Sequence, residues 1–490
     1  MNTRQMYYPR RNGFPSNTNF FAHYLSMYLC AMLRDDIICA LSTPQGAGAL
    51  AIIRVSGANS GGILPPYFNS KRAQKLGLES HRAYFGDYSI GGEHIDEVLI
   101  TFFEEGKSFT GEESFEITCH GSPYIVARIM ESLLESGARL ADPGEYTMRA
   151  FMNGRMDLAQ AEAVADLIHA ENKIMHDVAL RQLKGGFSNE IKVFREDLVH
   201  FASMIELELD FSEEDVEFAS RKDLLDMLHS LKIKVNALIE SFKHGNALKN
   251  GIATAILGAP NAGKSTLLNT LLGEDRAIVS SIAGTTRDTV EDTFNFGGLT
   301  YRLIDTAGIR ETEDYVEKIG IQKAFEQAEK ADVIFYLIDA TAPEQDLEER
   351  IAHLEQSAPQ AELFLCINKS DQADAYTILQ RLEGSRRQIF KIAAKTKDGL
   401  DELLAALKAT TAWTSHSASQ TIVTNARHAD ALRRTALALN KSIEAVKLSI
   451  PGDLLAQDLR SALDGLGEIT GTISTDDLLT NIFSKFCIGK

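Results

Sequence analysis

The segment from residue 252 to residue 272 narrows the choice of fold more than any other. Residues 252–257 are apolar, 258–265 read GAPNAGKS, and 265–272 carry the apolar spacing of a helix. A strand that feeds a glycine-bearing loop into a helix start forms a cradle for phosphate. Gly258 and Gly263 let backbone N–H groups point inward without a side chain in the way. Lys264 reaches the outer phosphates as a point charge, and the Ser265 hydroxyl is placed to ligate magnesium.

Two later strings extend this reading. DTAG occupies 305–308 at the end of the apolar run 301–304. Asp305 is therefore expected near the magnesium as a second-strand carboxylate, with the Gly308 N–H offered to the terminal phosphate. NKSD occupies 368–371. Asp371 can accept both N–H donors on a guanine edge while Asn368 covers the other side. Adenine would leave these polar groups unpaired, which is costly, so GTP is expected and not ATP. A lone GxxxxGKS can be a chance glycine turn and a lone NKxD a common surface string. Three motifs in order, each following its own expected strand, form a specific signal.

A length of 490 residues suggests roughly three domains. The 44% of hydrophobic residues is enough for a sizeable core, and the net charge of −18 argues against a surface coated with basic residues for nucleic acid. RNA contact is then a local patch or is lent by a partner. Cys30, Cys39, Cys119, Cys366 and Cys487 are odd in number and contain no CxxC, which points away from a disulfide frame or zinc site and toward a reducing, cytoplasmic setting. No apolar run approaches the roughly 20 residues that cross a bilayer, so a soluble chain without membrane partners is expected. Residues 1–31 hold three arginines and no acid, a composition shared by a targeting presequence and a disordered tail; the tail is favoured.

The expected organisation is an N-terminal extension (1–31), an α+β domain (32–153), a helical part (154–248), a nucleotide module (249–411) and a second helical part (412–490). Strands are expected at 50–57, 83–90, 95–103 and 114–121, and helices at 158–184, 190–210, 221–243, 427–448, 453–465 and 475–486. Helical sequence on both sides makes the nucleotide module an insertion, since insertions succeed where two chain ends lie close on a surface. Seven acids without a base in 206–217 read as a solvated helix end, with a metal site as the alternative.

From about Asp35 to Lys490 the chain resembles the tRNA uridine-modifying GTPases of the MnmE (TrmE) family. The resemblance rests on STPQGAGALAIIRVSG, SFTGEE, DLAQAEAVADLI, GAPNAGKST, AGTTRD, DTAGIRET, NKSD and the terminal FCIGK. It implies a multi-domain α/β fold: an α+β domain similar to tetrahydrofolate-binding domains, an all-α domain, and a Ras-like P-loop GTPase domain inserted into the latter. It further implies a homodimer, a heterotetramer with an FAD-dependent partner of the MnmG family, and an aminomethyl or carboxymethylaminomethyl group added to C5 of the wobble uridine of certain tRNAs. A 5-formyltetrahydrofolate or related folate would lie against Arg54, Glu116, Arg155 and Lys490, a carboxylate suiting pterin N–H donors and cations the glutamyl tail. At position 155 the family also uses lysine, which keeps the charge but not the fork geometry. Cys487 is read as a packing cysteine.

For GTP the resemblance implies contacts from Asn261, Ala262, Gly263, Lys264, Ser265 and Thr266, from Ser280, Ser281, Ile282, Ala283, Gly284, Thr285 and Thr286, from Asp305, Thr306, Ala307 and Gly308, and from Asn368, Lys369 and Asp371. Ile309 stands where switch GTPases carry a glutamine, and an apolar side chain cannot orient water. The family's substitutes are a potassium ion held by Asn261, Ser280, Ile282 and Thr285, and Glu317 acting through a bridging water. Ser265 and Thr286 would hold magnesium. Two modules meeting face to face would order the 280–286 loop, so dimerisation would activate hydrolysis. Another class of protein, the ribosome-assembly or RNA-chaperone switch GTPases, shares the nucleotide motifs; it would be expected to append a basic RNA-binding domain, and none is evident.

Overall fold

Residues 82–90 and 93–103 alternate in polarity and are joined by Gly91 and Gly92, whose φ angles of 58° and 89° suit the tight turn of a two-residue hairpin. The structure, a computed structural model, describes residues 36–211, 220–273, 292–304, 326–382, 387–410 and 421–489. The chain divides into two units, Met1–Met156 with Asp476–Lys490, and Asp157–Thr475.

The hairpin is the centre of the first unit. Its sheet contains β1 (Ile38–Leu41), β2 (Leu50–Ser56), β3 (Phe68–Asn69), β4 (Arg82–Ile90), β5 (Glu93–Phe103), β6 (Ser114–His120) and β7 (Arg139–Leu140), in the order β3-β4-β5-β6-β2-β1-β7. Only the β1 and β7 pair is parallel. Val98, Ile100 and Phe102 point inward with Ile53, Val55, Phe115 and Ile117, and Ile129 and Leu133 of the Pro123–Glu135 helix join the same core. Phe85, Leu99 and Leu50 on the other face are exposed, as strand alternation requires.

The sequence reading takes 412–490 as the second helical part; within it, Asp476–Lys490 groups by its contacts with the first unit. Phe483 of the Asp476–Phe483 helix packs against Phe151 at 6.5 Å between ring centroids, and the Ser42 hydroxyl donates to the Gly489 carbonyl at 3.2 Å. The apolar side of a short amphipathic helix does not specify which core will take it.

In the second unit the helices Gly186–Asp210, Arg221–Asn250, Ala426–Lys447 and Gly452–Thr470 bury Leu198, Leu228, Leu432 and Leu459 in one core. The stretch expected as one helix at 158–184 is two, Leu158–Ile168 and Lys173–Leu183. The Asn172 side chain accepts from the Met175 N–H and so starts the second helix, while Asp157 and Gln160 form a capping box at the first. Glu162 is buried beside His428 at 2.7 Å and Arg427 at 2.9 Å, which joins the sequence before the nucleotide module to that after it. Burial opposes ionisation of Glu162, yet His428 and Arg427 outweigh it and hold the carboxyl at about 2.

Among the described residues the nucleotide module is a six-stranded sheet of β8 (Ile252–Gly258), β9 (Thr293–Phe296), β10 (Leu299–Leu303), β11 (Val333–Asp339), β12 (Glu362–Asn368) and β13 (Gln388–Lys391), in the order β13-β12-β11-β8-β10-β9. All neighbours run parallel except β9 and β10. The buried, nearly continuous apolar runs of β8, β11 and β12 fit a parallel sheet covered on both faces. The chain enters after Asn250 and leaves toward Ile422. A Cβ on Gly245 would lie 2.0 Å from the Val423 carbonyl, so the two crossings touch, as an inserted module requires. Among the described residues no helix is long and apolar enough to cross a membrane.

Candidate functional site

The loop after β8 turns through three residues with positive φ: Gly258 at 141°, Asn261 at 65° and Gly263 at 98°. A Cβ on Gly258 would lie 2.3 Å from the Leu337 carbonyl, and one on Gly263 would lie 2.2 Å from Nδ2 of Asn368. Neither position has room for a side chain. Lys264 folds back over the loop and donates to the carbonyls of Gly258 and Ala259, both at 2.9 Å. Burial lowers its pKa, with Glu344 opposing the shift. The Lys264–Leu272 helix has no side-chain cap at its N-terminus, and Ser265 and Thr266 are exposed there. Uncapped N–H groups, an ammonium and free hydroxyls are the donor set that a magnesium-bound polyphosphate requires.

NKSD follows directly from β12. Asn368 is buried; its amide donates to the Ala262 carbonyl at 2.8 Å and accepts from the Ala394 N–H at 3.0 Å. The side chain expected beside the base thus also ties the phosphate loop to the loop after β13. Lys369, with φ 62°, bonds Asp339 at 2.6 Å. Burial works against the Asp339 carboxylate, but Lys369 and Thr341 hold its pKa below the ordinary value. Asp371 is exposed, free to meet a base. Ser280, Ser281, Ile282, Ala283, Gly284, Thr285, Thr286, Asp305, Thr306, Ala307, Gly308, Ile309 and Glu317 lie outside the described residues, as does Lys490.

In the first unit the structure brings two predicted folate residues together. Arg54 and Glu116 are direct cross-strand partners on β2 and β6, and Glu116 Oε1 accepts from Arg54 Nε at 2.9 Å and from its terminal nitrogen at 2.8 Å. The guanidinium lies 5.7 Å from the ring centroids of both Phe109 and Tyr146. Arg155 reaches the same loop: a Cβ on Gly111 would lie 3.3 Å from its Cγ.

Sequence reasoning singled out SFTGEE as a family string without finding its work. Ser56 Oγ donates to Glu112, and Arg149 donates to Glu112 at 3.1 Å, to Asp36 at 2.7 Å and to Glu145 at 2.9 Å. Arg139 also donates to Asp36 and Glu145. This lattice, buried at Arg149 and Glu145 and part-exposed at Asp36, Glu112 and Arg139, fixes the loop carrying Phe109. Desolvation raises the Asp36 and Glu145 pKa values, but Arg139 and Arg149 outweigh it and hold both below their ordinary values. Burial moves the Cys39 thiol up to about 11, and burial with the Asp96 charge moves Cys119 up to about 11, whereas Cys487 is exposed and not the packing cysteine expected.

Comparison with known proteins adds independent findings. A model described as the MnmE helical domain matches residues 158–487, and one described as the GTP-binding protein TrmE N-terminus matches 37–155. A protein of Christiangramia forsetii named tRNA modification GTPase MnmE is 48% identical over 94% of this chain and 100% of its own length. A Cytophaga hutchinsonii protein of the same name is 49% identical over 93% of this chain and 98% of its own. Among solved structures, Era in complex with MgGDPNP and nucleotides 1506–1542 of 16S ribosomal RNA is 32% identical over 31% of this chain and 54% of that one, with a TM-score of 0.24.

Proposed function

This chain belongs to the MnmE family of tRNA modification GTPases, and on that premise we propose that it hydrolyses GTP in the modification of tRNA. The observation that carries the reading is the Asn368 bridge: one buried amide fastens the base-reading motif to the phosphate loop, so a nucleotide engages both ends of a pre-built site. The substrate is GTP with magnesium, held through Ser265 and, from the sequence, Thr286. Lys264 exchanges its loop carbonyls for phosphate oxygens, and the helix N-terminus faces the anionic groups.

In this reading, Asn261 and, from the sequence, Ser280, Ile282 and Thr285 would hold potassium, which would supply positive charge to the phosphates during transfer. Asn261 is exposed in a left-handed conformation, and its side-chain oxygen is available to a cation. Glu317 orients the attacking water. The uncovered apolar residues Phe85 and Leu99, paired across β4 and β5, support a homodimer through the first unit. Arg54, Glu116 and Arg155 and, from the sequence, Lys490 would hold the folate. An FAD-dependent partner of the MnmG family completes a cytoplasmic assembly that modifies C5 of the wobble uridine.

Competition binding with GTP and ATP tests the first claim, and equal affinity for the two overturns it. Mass spectrometry of wobble uridine in tRNA from cells lacking this protein tests the second; an unchanged spectrum excludes the tRNA role. Equal GTP turnover in sodium and potassium removes the potassium assignment, and full multiple-turnover modification with a non-hydrolysable analogue removes the need for hydrolysis.

A further inference from the structure

The β9 and β10 hairpin joins, in sequence, the two stretches that hold most of the remaining expected nucleotide contacts: 280–286 precede it and Asp305 follows it. It is a stiff element. Thr293 to Phe296 pair with Leu299 to Arg302 in register, Phe294 stacks on Tyr301 at 4.9 Å, and the Leu303 N–H donates to the Asp292 carbonyl. Its nucleotide end is fastened to β8 through the Ile304 N–H and the Thr254 carbonyl at 3.0 Å. Each strand spans about 3.4 Å per residue, so displacement at that end is carried to the turn at Gly297 and Gly298.

At the turn end the hairpin is fastened to the helical part. Asn172 Nδ2 donates to Thr300 Oγ1 at 3.2 Å, and Thr300 Oγ1 donates to Asn295 Oδ1 at 2.7 Å. The same Asn172 side chain caps the Lys173–Leu183 helix, and Ile174 and Val178 of that helix pack against the core of the nucleotide module. Beside this contact lies a cavity of about 350 Å3, walled by Thr293 and Thr300 from the hairpin, Met175 and Val178 from the helix, and Lys249 and Gly251 at the chain crossing. The cleft is open to solvent, so the hairpin and the helix are not close-packed along this side and the joint has room to shift. Gly251, with φ 79°, lies at the entry crossing, and an ion pair of Lys249 with Asp166 at 2.7 Å borders it.

We propose that the hydrogen-bond chain Asn172, Thr300, Asn295 is the positioning contact that passes the nucleotide state of the GTPase module to the Lys173–Leu183 helix. The proposal rests on the GTPase reading above, and its test separates the two. Asn172→Ser keeps a capping oxygen but is too short to reach Thr300, and Thr300→Val removes the hydroxyl at nearly constant volume. In the full-length protein, hydrogen exchange at amides 173–183 is measured with and without a non-hydrolysable GTP analogue, beside analogue affinity and melting temperature.

The wild type is expected to change exchange by about fivefold on binding. Each single variant is expected to lose most of that response while binding the analogue within about twofold of wild type, and the double variant to be no worse than the singles, as for two ends of one contact. Retention of the response in either variant, additive losses in the double, or a wild type that binds the analogue without any change overturns the proposal. Failure of the wild type to bind the analogue overturns the GTPase reading itself, and this proposal with it.

Discussion

The phosphate loop of the second unit and the Arg54 face of the first reach a defined geometry by opposite means. In the loop, atoms are missing: Gly258 and Gly263 admit the Leu337 carbonyl and the Asn368 amide to distances that no Cβ permits. In the first unit, charges compensate: Arg139 and Arg149 are held by Asp36, Glu112 and Glu145, and this lattice fixes the loop that flanks Arg54. A site built on close backbone approach is encoded in a short contiguous run. A site built on paired charges is collected from segments far apart in the chain.

That difference predicts how each region fails. The largest effect is expected at the base-reading end. Asp371→Asn replaces two charge-assisted hydrogen bonds, each worth about 1.5–3 kcal/mol, with one neutral bond and one donor set against a donor, so GTP affinity should fall about 10²–10⁴-fold. Xanthosine triphosphate, with a carbonyl at C2, should regain part of the loss. Affinity for GTP retained within about tenfold would mean that Asp371 does not read the base.

Arg149→Met should cost the first unit about 3–5 kcal/mol in urea unfolding, because it removes a buried partner of Glu145 and the link to part-exposed Asp36 and Glu112, while GTP affinity stays unchanged. Asp36 and Glu145 titrate below their ordinary values of 3.8 and 4.5 in the folded state. Their contribution is therefore complete above those values and lost as pH falls below them, so the gap between wild type and variant should narrow on acidification. A gap independent of pH would show that Arg149 acts by packing alone.

Gly263→Ala should slow GTP turnover about 10²-fold, the usual result of displacing reacting groups by about 1 Å, with little change in first-unit stability. Normal turnover would contradict the tight contact with Asn368. The smallest effect is expected at the part-exposed Arg54–Glu116 pair. Glu116→Gln should weaken binding of 5-formyltetrahydrofolate about tenfold in calorimetry and alter stability by less than about 1 kcal/mol, since a part-exposed ion pair contributes little. Unaltered folate affinity would remove Glu116 from the subsite.

Much of the nucleotide module was legible because its motifs sit at strand ends: 252–257, 301–304 and NKSD each fell on the expected element. The structure also gave Asn368 a bridging contact that NKSD does not reveal, since a bond from residue 368 to residue 262 leaves no local pattern. The break at 169–172 was readable in principle from the Asn172 cap, but apolar spacing runs smoothly across it. In the first unit Arg54 and Glu116 came from family resemblance. Phe109, Tyr146 and the Arg149 lattice did not, because their roles depend on neighbours in other segments.

Sequence alone determined the glycine-bearing turn between strand and helix and the periodicity of the helices and strands, since each is set by contacts within a few residues. Only the tertiary structure decided that the last helix joins the first unit, that Arg54 is flanked by two aromatic rings, and that one threonine hydroxyl links a GTPase hairpin to a helix cap. These are long-range choices among compatible apolar faces and charges, and packing selects among them where local spacing cannot.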